Sequence, residues 1–362
     1  MITQALTTRL WEFIKDSYQS RLDDVMCSGN LFDSHYTHTV EEKIKNITNR
    51  KHAVFTNSGS SAILIGLIAH KIGPGDEVIC PNLSYVASAN QIAVTGAKPV
   101  FVDVTNTGHI DVNKIENRIT TRTRAIMPVG LYGENYDHDA VQEIADRYSI
   151  PIIEDSAQSY GTLYKDRPAG SLGHTSILSF SRNKPAMTPF GAGALVTDDD
   201  DIAHRARIAR THGKQGRNGT IHCLGLNAQA KEDRAIAVDI ALDNFRSWNA
   251  RRQEIHKLYS DTVANNQCIL NKPLQSTSTV NGHKFIFLSR DPEIWMDNFR
   301  HNNIEALRYY QDNFEYSMLG SSIHPMPQTE QFINQSVTIT TDPFLTASEI
   351  ESICQVLETV YL

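Results

Sequence analysis

Between about residue 50 and residue 200, short runs rich in β-branched and apolar residues recur, separated by stretches long and amphipathic enough for helices. The runs are His52–Phe55, Glu77–Cys80, Pro99–Val104, Ala125–Val129, Pro151–Asp155, Ser176–Phe180 and Ala194–Thr197, with helical stretches such as Ser60–His70, Val86–Val94 and Asp139–Tyr148 between them. Strands linked through helices lie parallel, because a parallel neighbour can be reached only by a crossover. Several runs are apolar throughout, as expected of strands buried on both faces. The pattern predicts an α/β fold with a mostly parallel sheet covered by helices on each side.

The 362 residues suit one large domain and a smaller one. Ile236, Ile240, Phe245, Trp248, Ile255 and Tyr259 recur near helical spacing and predict one long helix over Asp233–Val263, leading out of the large domain. Beyond the turn-rich KPLQSTSTVNGH, the sequence predicts a strand in HKFIFLSR, a helix over Pro292–His301 and a last helix over Ala347–Tyr361 that opens with the capping box Thr346 and Glu349. The expected division is 1–240, including an N-terminal helical segment, and a small α+β domain over 241–362.

With 34 basic and 41 acidic residues the formal net charge is −7, which argues against a general attraction to nucleic acid or to an anionic membrane. A phosphate on a ligand must then be met locally. Five scattered cysteines without a C-x-x-C pair suggest neither a disulfide framework nor a zinc site, and fit a reducing cytoplasm. No apolar run approaches the roughly 20 residues of a membrane span.

Ligands of open α/β sheets sit beyond the carboxyl ends of the strands, which directs attention to three segments. TNSGSSA, residues 56–62, stands between a strand and a helix; Gly59, Ser60 and Ser61 either cradle a phosphate at the helix start or merely cap it. IIEDSAQSYG, residues 152–161, ends a buried strand in a carboxylate, Asp155, suited to a buried cation such as a protonated pyridine nitrogen, or to a cap. SILSFSRNKPAMTPFGAGALV, residues 176–196, sets Lys184 after a buried strand among small residues. Desolvation there would free its amine for Schiff-base chemistry, whereas a solvated loop would leave it inert.

In order, TNSGSSA, GPGDEVICPNLSYVASANQI, GAKPVFVDV, VGLYG, IIEDSAQSYG, GSLGHTSILSFSRNK, GAGALVTDD and RTHG resemble the DegT/StrS-type sugar aminotransferases, a branch of the fold-type-I enzymes that use pyridoxal 5′-phosphate (PLP). The resemblance implies a large domain with a mixed, mostly parallel seven-stranded sheet and a small C-terminal α+β domain. It implies that Lys184 carries PLP as a Schiff base, that Asp155 holds the pyridine nitrogen, and that Gln158 contacts the phenolic oxygen. Tyr85 and Ala157 would cover the two ring faces, and Gly59, Ser60 and Ser179 would contact the phosphate. Asn227, in GLNAQAK, resembles an asparagine that reaches the phosphate from a neighbouring subunit, which implies a homodimer with shared sites.

The resemblance also has departures. The family's acidic residue in G-[DE]-G-G is missing from Phe190-Gly191-Ala192-Gly193, Arg182 adds a cation before Lys184, and Gln229-Ala230 replaces R-M in the partner loop. Tyr309-Tyr310 stands where the family has a substrate-side His-Tyr pair, while Lys214 and Arg217 offer cations for a nucleotide diphosphate or simply a solvated loop. The implied function is transfer of an amino group from an amino-acid donor, glutamate or glutamine, to a keto-sugar acceptor, nucleotide-linked, with ping-pong kinetics. Action on another carbonyl compound such as a cyclitol, or a PLP-binding regulatory role without catalysis, are the alternatives.

Overall fold

In the large domain the apolar runs become strands β1 (His52–Thr56), β2 (Glu77–Pro81), β3 (Lys98–Val102), β4 (Thr123–Ile126), β5 (Ile153–Asp155), β6 (Thr175–Ser179) and β7 (Gly193–Thr197). The computed structural model describes residues 1–32, 34–216, 219–264, 266, 268–270, 279–310 and 326–359. Instead of one continuous seven-stranded ladder there are two, of order β1-β7-β6-β5 and β3-β2-β4. They meet through single parallel bridges, Ile126 with Ile152 and Val129 with Asp155. The seam coincides with Pro128 and Pro151, which bring no N–H to it and serve only as acceptors, from Asp155 and Ile126, each at 3.0 Å. β7 runs antiparallel to both its neighbours, and the other pairings are parallel.

Alternate side chains of each strand enter different cores, which explains why the runs are apolar throughout. Ala53, Phe55, Leu178, Phe180, Ala194 and Val196 face one way and pack with α1 (Thr7–Ser28), α2 (His35–Thr48) and the start of the long helix. Val54, Ile177 and Leu195 face the other way, toward α3 (Gly59–Ala69), α4 (Ala87–Val94) and α6 (Asp200–Arg210), whose buried residues join the same cluster. A third cluster seats α5 (His138–Tyr148) against Ile79, Val102 and Ile126.

The long helix, α7, spans Glu232–Val263. Its residues from Ala235 to Trp248 join the first core, whereas Ile255, Tyr259 and Val263 join a separate one. That second core holds the antiparallel strands β8 (Ile269–Leu270), β9 (Phe285–Ser289) and β10 (Ser336–Ile339), with α8 (Pro292–His301) and α10 (Ala347–Thr359). α9 (Pro327–Gln335) is anchored to the large sheet, because Thr329 donates through both its N–H and its hydroxyl to Asp103, each at 2.8 Å. The capping box of α10 forms: the Thr346 N–H donates to Glu349 at 2.9 Å, and the Glu349 N–H to the Thr346 hydroxyl at 3.3 Å. Arg9 of α1 adds an ion pair to the same glutamate at 2.7 Å, tying the two ends of the chain together.

Candidate active site

β1, β5 and β6 end at one edge of the sheet in Thr56, Asp155 and Ser179, and antiparallel β7 begins there at Gly193. Residues far apart in sequence therefore converge beyond the carboxyl ends of the strands. They line a cavity of about 660 Å³, whose wall includes Gly59, Ser60, Tyr85, Asp155, Ala157, Gln158, Ser179 and Lys184.

Asp155 is 5% exposed. The Ser88 hydroxyl donates to one carboxylate oxygen at 2.8 Å and the Ala157 N–H to the other at 3.1 Å. Burial raises its pKa against these two donors and the nearby Lys184 charge. Among the described residues no cation forms an ion pair with it, although the charge of Lys184 acts on it. Lys184 sits in the turn after β6, its N–H bonded to the Ser181 carbonyl at 3.0 Å. Burial lowers the pKa of its amine to about 8, with Asp155 acting in the opposite direction. The buried Arg252 of α7 donates to the carbonyls of Pro185 at 2.7 Å and Lys184 at 3.4 Å, so the long helix fixes the loop that carries the amine.

The start of α3 has the geometry of an anion-binding corner. Ser58 caps the helix by accepting from the Ser61 N–H at 3.0 Å, which leaves the N–H groups of Gly59 and Ser60 without intrahelical acceptors. Gly59 is needed for close approach: a Cβ there would lie 2.9 Å from the Cβ of Ser179. Gln158 is held at both ends of its amide, accepting from the Tyr132 N–H at 3.2 Å and donating to the Tyr310 hydroxyl at 2.8 Å. Tyr85 lines the cavity and is 58% exposed.

Other expected residues fall elsewhere. Asn227 does not line the cavity of its own chain; its carbonyl accepts from Asn57 at 3.1 Å and its backbone pairs with Thr211. Arg182 is exposed and outside the lining, Lys214 is exposed, and Arg217 lies outside the described residues. Tyr309 and Tyr310 do line the cavity.

A profile of the DegT/DnrJ/EryC1/StrS aminotransferase family matches residues 12–358. The chain belongs to that family. It is therefore a PLP-dependent aminotransferase. Among curated relatives, it is 30% identical over 342 residues, 93% of each chain, to the dTDP-3-amino-3,6-dideoxy-alpha-D-galactopyranose transaminase of Aneurinibacillus thermoaerophilus. A pleiotropic regulatory protein of Geobacillus stearothermophilus is 35% identical over 69% of this chain and 67% of its own. In three dimensions the chain is similar to DesV of S. venezuelae, solved in complex with a ketimine intermediate, with a TM-score of 0.92, 27% identity and 98% of each chain covered.

The residues fit the cofactor of the DegT/DnrJ/EryC1/StrS family. A buried carboxylate lacking a cation suits a pyridinium, a desolvated amine suits an aldehyde, and the free N–H groups of α3 suit a phosphate. Sequence reasoning missed Ser88, which polarises Asp155, as well as His283 and Lys284, which line the cavity from just before and at the edge of β9. Nothing local marks them: Ser88 reads as one more helix residue, and HKFIFLSR reads as a strand.

Proposed function

We propose that this aminotransferase moves an amino group from an amino acid, glutamate or glutamine, to the keto group of a nucleotide-linked sugar by a ping-pong route. The observation that carries the reading is the shared cavity of Lys184 and Asp155, near enough that the charge on each acts on the other. Similarity along 93% of the chain to a transaminase named for a dTDP-linked amino sugar supports the acceptor class.

Asp155 would keep the ring nitrogen protonated, Gln158 would meet the phenolic oxygen, and Tyr85 and Ala157 would cover the two faces. Gly59, Ser60 and Ser179 would bind the phosphate. Asn227 would complete that phosphate site in the partner copy, so the working unit is a homodimer with shared sites. When bound, PLP supplies an electron sink for the charge left on a carbon that loses its proton. Lys184 would anchor the cofactor covalently; displaced by the donor's amine, it would take the proton from the substrate Cα and deliver it to the cofactor's C4′. The donor's keto product leaves before the sugar arrives. We also propose that the domain boundary lies inside α7 between Trp248 and Ile255, beyond the residue-240 expectation, since the side chains of α7 change cores there.

The test is spectroscopic. Purified protein with PLP should show an absorbance band that converts to the pyridoxamine form on adding glutamate or glutamine, and borohydride should fix the cofactor on Lys184. A band unmoved by every common amino acid refutes the donor half of the proposal.

A further inference from the structure

Lys284 is a second lysine at this cavity, and no step proposed above uses it. It is 4% exposed, and burial lowers its pKa to about 7, with Asp342 and Glu305 opposing and Arg252 and Lys184 adding to the effect. An ammonium has three N–H donors. Two are taken by one residue: the Gln4 carbonyl at 3.2 Å and the Gln4 side-chain oxygen at 3.0 Å.

The carboxylates nearest in the fold are engaged elsewhere. Glu305 accepts from the Gln4 N–H at 2.6 Å, and Asp342 accepts from the N–H groups of Leu6 and Phe344 at 3.1 and 3.0 Å. Among the described residues no carboxylate forms an ion pair with Lys284. A buried amine held by two neutral oxygens, and lying 5.9 Å from the centroid of the Tyr309 ring that lines the same cavity, has no carboxylate partner among the described residues. Gln4 is itself fixed, its side-chain N–H groups donating to the carbonyls of Glu305 at 2.9 Å and Thr338 at 3.2 Å, so the ammonium is held at a set position.

We infer that Lys284, held by Gln4, receives a carboxylate of the substrate inside the active-site cavity. That carboxylate belongs either to the amino-acid donor or to an acidic acceptor sugar. Gln4 is a positioning residue in this arrangement, and the short segment before α1 thereby becomes part of the substrate site. The inference rests on the aminotransferase reading and deepens it.

Binding of unreactive probes to the PLP-loaded enzyme, measured by calorimetry, tests it without turnover. Glutarate stands for the donor, and UDP-glucuronate against UDP-glucose stands for an acidic against a neutral sugar. Lys284→Met should weaken glutarate or UDP-glucuronate, or both, by on the order of tenfold to a hundredfold, the loss expected for a charge-assisted hydrogen bond. It should leave UDP-glucose unchanged. The acid that is lost names the source. Should Lys284→Met fail to fold, Gln4→Glu keeps the lysine but sets an internal carboxylate beside it, and should weaken the same acid. Acids bound as tightly by the variants as by the wild type, an equal loss for UDP-glucose, or no binding of either acid by the wild type would overturn the inference. The donor-induced change of the cofactor band is measured separately, so its failure is distinguishable from this one.

Discussion

Asp155→Asn keeps the shape of the side chain and removes its charge, and its effects should have opposite signs with and without cofactor. In the proposed holoenzyme the carboxylate would be the counter-ion of a buried pyridinium. Removing one partner of a buried ion pair costs about 3–5 kcal/mol, which at 1.36 kcal/mol per decade is a loss of about 10²- to 10⁴-fold in the donor half-reaction. Without cofactor the carboxylate accepts, among the described residues, from the Ser88 hydroxyl and the Ala157 N–H alone. Its pKa is raised by burial, so the folded state holds the proton more tightly than the unfolded chain does. The stability from that proton is complete below the unfolded value near 3.8 and is lost as pH rises through the folded pKa. At neutral pH the cofactor-free variant should therefore melt no lower than wild type, and any advantage should shrink as the pH falls toward 4. Single-turnover absorbance with glutamate reads the first effect, and calorimetric melting of the apoprotein across pH reads the second. A half-reaction within tenfold of wild type, or an apoprotein that melts markedly lower, would refute the assignment of Asp155 as counter-ion.

In cofactor-free protein the amine of Lys184, held to about 8 by burial, should become reactive to an amine-selective label as pH rises through that value, while exposed lysines wait for pH above about 10; mass-spectrometric labelling across pH checks the order. Gly59→Ala should force the start of α3 away from Ser179, since its Cβ would lie at 2.9 Å. The expected cost is about 1–3 kcal/mol of overpacking and a weaker PLP dissociation constant, read by melting and by cofactor titration. Glu349, whose pKa Arg9 draws down to about 2, contributes stability above its unfolded value near 4.5 that is lost as pH falls toward 2. Because the Arg9 side chain is 41% exposed, Glu349→Gln should cost no more than about 1 kcal/mol at pH 7, and should flatten the melting profile between those limits.

The residues expected at the cofactor that line the cavity were most legible where they sit at the end of a strand or the start of a helix, where local pattern fixes position. Asp155 closes β5, Ser179 closes β6, and Gly59 opens α3. The seam in the sheet was not legible, although Pro128 and Pro151 were in plain view. A proline removes one donor, but the consequence depends on which strands become neighbours, and that is a property of the whole fold. Lys284 was hidden for the same reason. A lysine at the head of a strand reads as a solvated end, and only the return of the first six residues along the small sheet, through the pairing of Ile2 with Ile304, buries it.

The acidic residue missing at Gly191 has a structural reading that composition alone would not suggest. Gly191 has φ of +64°, a left-handed conformation that costs a residue with a side chain about 1 kcal/mol or more. Its carbonyl accepts from Arg234 of α7 at 3.1 Å, and the same guanidinium donates to the Asn57 carbonyl at 2.6 Å. Asn57 lies just before the start of α3 and Gly191 lines the cavity, so one arginine ties these two neighbouring loops together. A side chain at 191 would meet only open space, its nearest neighbour being the Ser181 Cα at 4.0 Å. The position thus has room for a carboxylate but a backbone conformation that disfavours one, and the loop is held through backbone carbonyls by a cation from α7. Arg252, lower on the same helix, holds the carbonyls behind Lys184. Two arginines of α7 thus hold, through backbone carbonyls, the loop before α3, the loop at Gly191 and the loop that carries Lys184.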